Sequence, residues 1–302
     1  MNNCGPNPRW KIWLADAGLL YAAAIWGATF FMVKDALSGV HPITMVTYRF
    51  LLAGFLLLIF LLLTRRSLLA NLKRGFYLSL LLWLLYVPQT IGLGLTTASN
   101  SGFITGLFVA FVPLFLLTIF KRRPTLMEIL ASVVALFGLW ILTGGLTYIN
   151  TGDLLTLLAA MAYALHLLYS DRYMKDGLDP FVISCQQFLL VGFYSLIAMI
   201  VFDLPFQVTT TAALGTIIFL ALFPTMSAFV IQMMAQKITS PLKVSLIFAL
   251  EPVFAGLFAW TLGDEPFIWR RAGGGLLIFL ALIISGMPPR KQFYSIGKRF
   301  KT

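Results

Sequence analysis

Charge is what this chain has least of. Asp, Glu, Lys and Arg make up 11% of its 302 residues, against about 25% in soluble domains. Cysteine and histidine are nearly absent. Cys4 and Cys185 alone cannot build a disulfide framework or a metal site, and His41 and His166 are too far apart in sequence for a helical metal pair. No G-x-x-x-x-G-K-[ST] stretch occurs, so nothing reads as an ATP site. Strict apolar/polar alternation is missing as well, which excludes a transmembrane β-barrel. The net charge of +11 does not point to nucleic acid, because the cations sit in short clusters between apolar runs.

What is present is apolar surface: 60% hydrophobic residues and a mean hydropathy of +0.91. Runs of about 18 residues or more recur along the whole length, the mark of membrane-spanning helices. They place ten spans at 13–35, 42–63, 75–96, 100–120, 125–143, 153–172, 181–202, 213–234, 240–262 and 269–287. The first run, "GLLYAAAIWGATFFMV", is long for a signal-peptide core and lacks a clear cleavage site, so it reads as an uncleaved span. Connections are short, and no soluble domain is expected. With the N-terminus inside, all but five of the 22 basic residues (Lys34, Arg49, Lys243, Arg270 and Arg271) fall in inner loops and ends. That bias predicts a multi-pass protein of the cytoplasmic membrane with both termini inside.

The ten spans divide into two copies. "RFLLAGF" at 49–55 repeats as "QFLLVGF" at 187–193, and Pro42 aligns with Pro180 at the same offset of 138. Pro113 then aligns with Pro252 and Pro124 with Pro266. Five spans per copy is an odd number, so the second copy enters the membrane from the opposite side, the inverted repeat of many secondary transporters. The fold expected is all-α membrane, ten helices as two inverted five-helix repeats around a central cavity. The first repeat covers 13–148 and the second 149–287, followed by a basic cytoplasmic tail at 288–302.

Four stretches carry a family likeness: "WGATFFMVK" at 26–34, "YRFLLAGF" at 48–55, "QTIGLGLTTASNSGFITGLFVAFVPLF" at 89–115 and "LEPVFAGLFAWTLGDEP" at 250–266. Through them the chain resembles the drug/metabolite transporter superfamily, in particular its EamA-type ten-helix proteins, over roughly residues 15–287. The resemblance implies bundled helices around a cavity, helices 5 and 10 at the periphery, and a small organic solute moved outward. One departure is "FKRRP" at 120–124, where the second copy has "LGDEP" at 262–266.

A charge at mid-helix costs roughly 2.5–3.5 kcal/mol on insertion scales and usually faces the bundle interior. Arg49 lies about 10 Å below the outer face and Glu251 about 16 Å below it, at 1.5 Å per residue. The repeat puts Gln187 opposite Arg49 and Val112 opposite Glu251, so both charges are present in one combination and absent in the other. Glu251 reads either as a proton-coupling or substrate-binding carboxylate or as the ion-pair partner of Arg49. Lys243, near the inner end of span 9, is expected to snorkel to the interface. Pro113 and Pro252 are candidate hinges or fixed kinks. Gly102, Gly106 and Ala110, spaced by four, read as a close-packing face.

The candidate cavity wall is Trp26, Thr29, Tyr86, Gln89, Thr90, Asn100, Tyr163, His166 and Gln232. Tyr86, Gln89 and Thr90 share one helix face at i, i+3, i+4. Aromatic surface with a few amides and hydroxyls suits an aromatic or amphipathic metabolite, amino acids among them. The function expected is secondary transport by alternating access, with export as the direction, a small solute and the bilayer as partners, protons as a candidate coupling ion and no cofactor. The competing class is a membrane-embedded enzyme on a lipid-linked substrate, which needs clustered carboxylates or histidines; only Glu251 lies deep in a span.

Overall fold

A computed structural model describes residues 8–145, 149–262 and 267–285; Cys4, Pro266 and the 288–302 tail lie outside them. Helix follows helix in this order: α1 (Arg9–Gly27), α2 (Thr29–Ala36), α3 (Pro42–Leu63), α4 (Leu72–Leu95), α5 (Ala98–Gly106), α6 (Phe108–Thr118) and α7 (Leu126–Thr143). The second copy supplies α8 (Thr151–Lys175), α9 (Pro180–Val201), α10 (Thr211–Leu220), a π-helical turn (Ala221–Ser227), α11 (Ala228–Gln236), α12 (Pro241–Phe248), α13 (Glu251–Leu262) and α14 (Trp269–Ser285). Among the described residues nine stretches are long and apolar enough to cross a membrane, and α14 adds a tenth, 17-residue apolar helix.

Each expected span is found within a few residues of its sequence limits, but spans 1, 4, 8 and 9 are not continuous. Two interruptions follow from proline. A proline ring lacks the N–H and clashes with the carbonyl four residues earlier. Four residues before Pro252 is Phe248, where α12 ends; four before Pro224 is Leu220, where α10 gives way to the π turn. Pro113 and Pro88 sit inside α6 and α4 without breaking them, and the interruption of span 4 falls at Leu107 instead. Pro113 and Pro252 are therefore not structural equivalents: Pro252 occupies the first turn of α13, where its missing N–H has no intrahelical partner to lose.

The repeat is sharpest at α3 and α9, whose limits differ by 138 at both ends. His41 and Asp179 cap them, each side chain accepting the N–H two residues on, from Ile43 and Phe181. Arg65 and Asp203 leave the two helices with φ of 53° and 48°. A Cβ at Gly54 would come within 2.8 Å of Leu189, and one at Gly192 within 2.6 Å of Leu51. The same contact is thus made twice with the copies exchanged, which locates the crossing of α3 and α9 on the two-fold axis relating them. Gly138 and Gly274 do likewise for α7 and α14, which face outward through Phe137, Trp140, Leu276 and Phe279.

The two ends of the bundle are tied differently. At the end bearing the 37–41, 96–97 and 203–210 turns, the Lys34 ammonium donates to the carbonyl oxygens of Leu93 (2.7 Å), Gly94 (3.2 Å) and Thr96 (2.8 Å), the exposed C-terminus of α4. Asp153 caps α8 through its Asn150 box and accepts from the Thr96 hydroxyl at 2.6 Å. At the opposite end ion pairs dominate: Arg66–Asp179 at 2.6 Å, Arg74–Asp176 at 3.2 Å and Lys243–Asp16 at 2.7 Å. Lys243 therefore bridges α12 to α1 rather than reaching for the interface alone.

Candidate functional site

The interruption of span 1 lies against the interruption of span 9. A Cβ at Gly27 would run into the Glu251 carbonyl oxygen and stand 3.0 Å from the Ala255 nitrogen, so only glycine lets the end of α1 meet the start of α13. Beside this junction a cleft of about 550 Å³, counting its open mouth, runs into the bundle. Its deep part is lined by Trp26, Arg49, Tyr86, Tyr163, Phe229 and Glu251. Its shallow part is lined by Thr29, Phe30, Val33, Gln89, Thr90 and Leu93, one to two turns nearer the Lys34 end. The cleft therefore opens toward that end. Its floor is aromatic: the Trp26 ring lies 5.1 Å from Phe229 and 4.8 Å from Phe248, all three buried.

Both intramembrane charges face this cleft, yet they do not pair. Among the described residues no ion pair joins Arg49 to Glu251, contrary to the simplest sequence reading. Arg49 is held by Thr225, its Nε donating to the hydroxyl at 2.5 Å, and by Tyr86, whose hydroxyl accepts from Nη2 at 3.4 Å. The guanidinium carbon also stands 4.6 Å from the Tyr86 ring centre, a cation–π contact. These bonds use two of five N–H donors. Glu251 accepts from the Tyr163 hydroxyl at 3.4 Å. It opens α13, and a helix N-terminus carries a partial positive charge that favours a carboxylate. A continuous span 9 would have hidden that second stabilisation, which is why sequence reasoning reached for a cationic partner.

The π turn of span 8 is fastened to the same floor. Trp26 Nε1–H donates to the Pro224 carbonyl oxygen at 2.8 Å and Arg49 bonds the next residue, Thr225. One-turn π segments recur at functional sites. Thr225, Thr105 (accepting from Gln89 Nε2 at 3.0 Å), Phe30 and Phe229 were not singled out by sequence. Pro224 was a usable signal, since it repeats Pro88 of span 3 at an offset of 136.

Of the nine candidate wall residues, six line the cleft: Trp26, Thr29, Tyr86, Gln89, Thr90 and Tyr163. Asn100 is instead in the first turn of α5, its N–H donating to the Thr97 hydroxyl. His166 and Gln232 are fully buried below the floor, His166 against Gln187 at 2.6 Å. Helical periodicity placed these side chains on inward faces but carried no information on depth. The glycine series also divides: a Cβ at Gly106 would meet Leu139 at 2.5 Å, while one at Gly102 would meet nothing within 4 Å. Gly102 borders a lateral groove between α5 and α13 rather than a packed face.

Comparison with known proteins converges on one family. The profile described as "EamA-like transporter family" matches residues 13–144 and again 150–287. An uncharacterized transporter of Archaeoglobus fulgidus is 31% identical over 270 residues, covering 89% of this chain and 85% of its own. The uncharacterized inner membrane transporter YedA of Escherichia coli K12 is 28% identical over 286 residues, covering 89% and 90%. One crystal structure superposes with a TM-score of 0.76 over 90% of this chain and 96% of the other at 18% identity, which supports the fold alone. Two family matches in tandem, on an all-helical two-copy bundle with a polar cleft at its centre, make this protein a multi-pass membrane transporter. The chain belongs to the EamA-like transporter family.

Proposed function

We propose that this transporter moves a small amphipathic zwitterion, of the aromatic amino acid type, by alternating access, with export as its physiological direction. The observation that carries the reading is the arrangement of Arg49 and Glu251 in one aromatic cleft, each held by a tyrosine and neither spent on the other. A guanidinium favours a carboxylate and a carboxylate favours an ammonium group. Trp26, Tyr86 and Phe229 offer rings to the apolar body between them. The inverted repeat supplies the two equivalent halves that alternate access requires.

The basic loops orient the bundle with both termini inside, so the cleft faces outward. Glu251 is then the group through which a proton gradient couples to the cycle. Transport rather than chemistry on a lipid-linked substrate fits the relatives, which are named as transporters.

The test is purified protein in liposomes with a panel of labelled amino acids and aromatic metabolites, with and without an imposed proton gradient. Saturable flux of an aromatic zwitterion, steepened by the gradient, is expected. No movement of any solute in either direction overturns the reading.

A further inference from the structure

Below the aromatic floor lies a second polar region. His166 and Ser170 share one face of α8 at i, i+4, and Ser184 and Gln187 one face of α9 at i, i+3. Gln232 and Gln236 share one face of α11, again at i, i+4. All six are fully buried, at 0% exposure. The three faces meet: His166 bonds Gln187 at 2.6 Å, and Gln236 Nε2 donates to the Leu167 carbonyl at 2.9 Å. Every member lies within about three turns of the end opposite the cleft mouth, at 3.6 residues per turn.

This set is under-satisfied for a packed core. His166 Nδ1, Ser170 Oγ, Ser184 Oγ and Gln232 Oε1 have no protein hydrogen-bond partner among the described residues. Leaving such a group unmade costs about 1–3 kcal/mol, so native interiors hold few. Four on three facing helices is a concentration that packing does not explain. The repeat offers a cause. Gln187 is the counterpart of Arg49, at the same depth from the opposite membrane face. What Arg49 is to the open cleft, Gln187 is to this closed half.

Within the aromatic floor, Phe229 stands between the two regions. Phe229 lines the cleft, and its ring centre is 6.0 Å from His166 on the other side. It stands three residues before Gln232, so α11 presents Phe229, Gln232 and Gln236 in line from the floor to the opposite end. Two of the ion pairs that close that end open at small cost. Arg66–Asp179 and Arg74–Asp176 are each more than a third exposed, the class worth about 0–1 kcal/mol. The Gln186 amide clasps the Leu68 and Ala70 carbonyl oxygens of the turn above it at 2.7 and 2.9 Å.

We infer that His166, Ser170, Ser184, Gln187 and Gln232 form the inner half of the solute path. It is an uncharged hydrogen-bonding subsite for the polar group of the solute, sealed from the outer cleft by Phe229 and exposed when the Arg66/Arg74 end opens. The inference rests on the alternating-access reading above.

The experiment keeps the two apart. In a Cys4→Ser, Cys185→Ala background, Thr90→Cys, Ser170→Cys and Ser184→Cys are treated with a membrane-impermeant thiosulfonate, from the outer face in cells and from the inner face in inverted vesicles. Phenylalanine flux is measured on the same proteins. Thr90→Cys is expected to react from outside. Ser170→Cys and Ser184→Cys are expected to react from the inner face only, at roughly a tenth to a thousandth the rate of an exposed cysteine, as for a state populated at about 0.1–10%. Arg66→Ala should speed that reaction several-fold. Flux with both inner cysteines inert from either face, and still inert after Arg66→Ala, would make the set a static network and overturn the inference. Inner-face reaction without phenylalanine flux would sustain the inner path while the aromatic-zwitterion reading fails.

Discussion

Gly27→Ala puts the junction of the two broken spans to a direct test. The added methyl has no room: it would meet the Glu251 carbonyl oxygen, with the Ala255 nitrogen and Phe254 Cβ each at 3.0 Å, against ordinary contact beyond about 3.4 Å. Two of those three obstacles are backbone atoms within the first five residues of α13, which cannot rotate away as a flexible side chain would. Either α1 and α13 separate by several tenths of an ångström or the first turn of α13 unwinds. Overpacking of this kind costs about 1–3 kcal/mol. Domains of comparable size lose roughly 2–4 °C of Tm per kcal/mol, so a drop of roughly 2–12 °C in detergent is expected. Because the same turn carries Glu251, solute flux should fall by more than the loss of folded protein. The control is Gly102→Ala in α5, where a Cβ meets nothing within 4 Å. There the gain in helix propensity should leave stability unchanged or raise it by up to about 1 kcal/mol. The reasoning is refuted if Gly27→Ala melts like the parent, or if Gly102→Ala loses as much as Gly27→Ala.

Further outcomes follow from the ties at the two ends. Lys34→Met removes a donor from three carbonyls of the α4 terminus, and a loss of about 1–2 kcal/mol in thermal stability is expected, since water can replace part of it. Asp16 and Lys243 are 24% and 33% exposed, so a double-mutant cycle should return a coupling below about 1 kcal/mol. Burial holds the His41 imidazole below the usual 6.5, and its Nδ1 caps α3 by accepting the Ile43 N–H. The unfolded chain thus binds the proton first as pH falls, so this contribution is present above about pH 6.5 and is lost below it. Melting between about pH 8 and 5 should show that acid-side loss in the parent and not in His41→Asn.

The fold was legible because the membrane simplifies the problem. A backbone in lipid must satisfy its own hydrogen bonds, so apolar run length alone yields helices and their number. "RFLLAGF" and "QFLLVGF" then disclose the repeat, which the structure extends to matching caps, limits and glycine contacts of α3 and α9. Interruptions were harder to see. Pro252 and Pro224 act on the carbonyl four residues before them and end helices there, while Pro113 and Pro88 are absorbed. What decides between these outcomes is the neighbouring helix, which a single sequence does not display. The same gap explains the unmade Arg49–Glu251 pair. Each charge found a partner created by tertiary structure: Thr225 on the π turn for one, the N-terminus of α13 for the other. Depth was the remaining blind spot. Tyr86 and His166 look alike in sequence as inward-facing polar residues, yet Phe229 places them on opposite sides of a floor.

The most direct measurement compares three probes in liposomes: phenylalanine, phenylalaninamide without the carboxylate, and 3-phenylpropionate without the ammonium group. If Arg49 and Glu251 each receive one charge, the parent protein moves phenylalanine about tenfold or more faster than either analogue, the worth of one charge-assisted bond of about 1.5 kcal/mol. Arg49→Gln should then erase the preference over the amide alone, and Glu251→Gln the preference over the acid alone. Equal flux of all three probes, or selectivity untouched by both substitutions, would contradict a zwitterion-binding cleft.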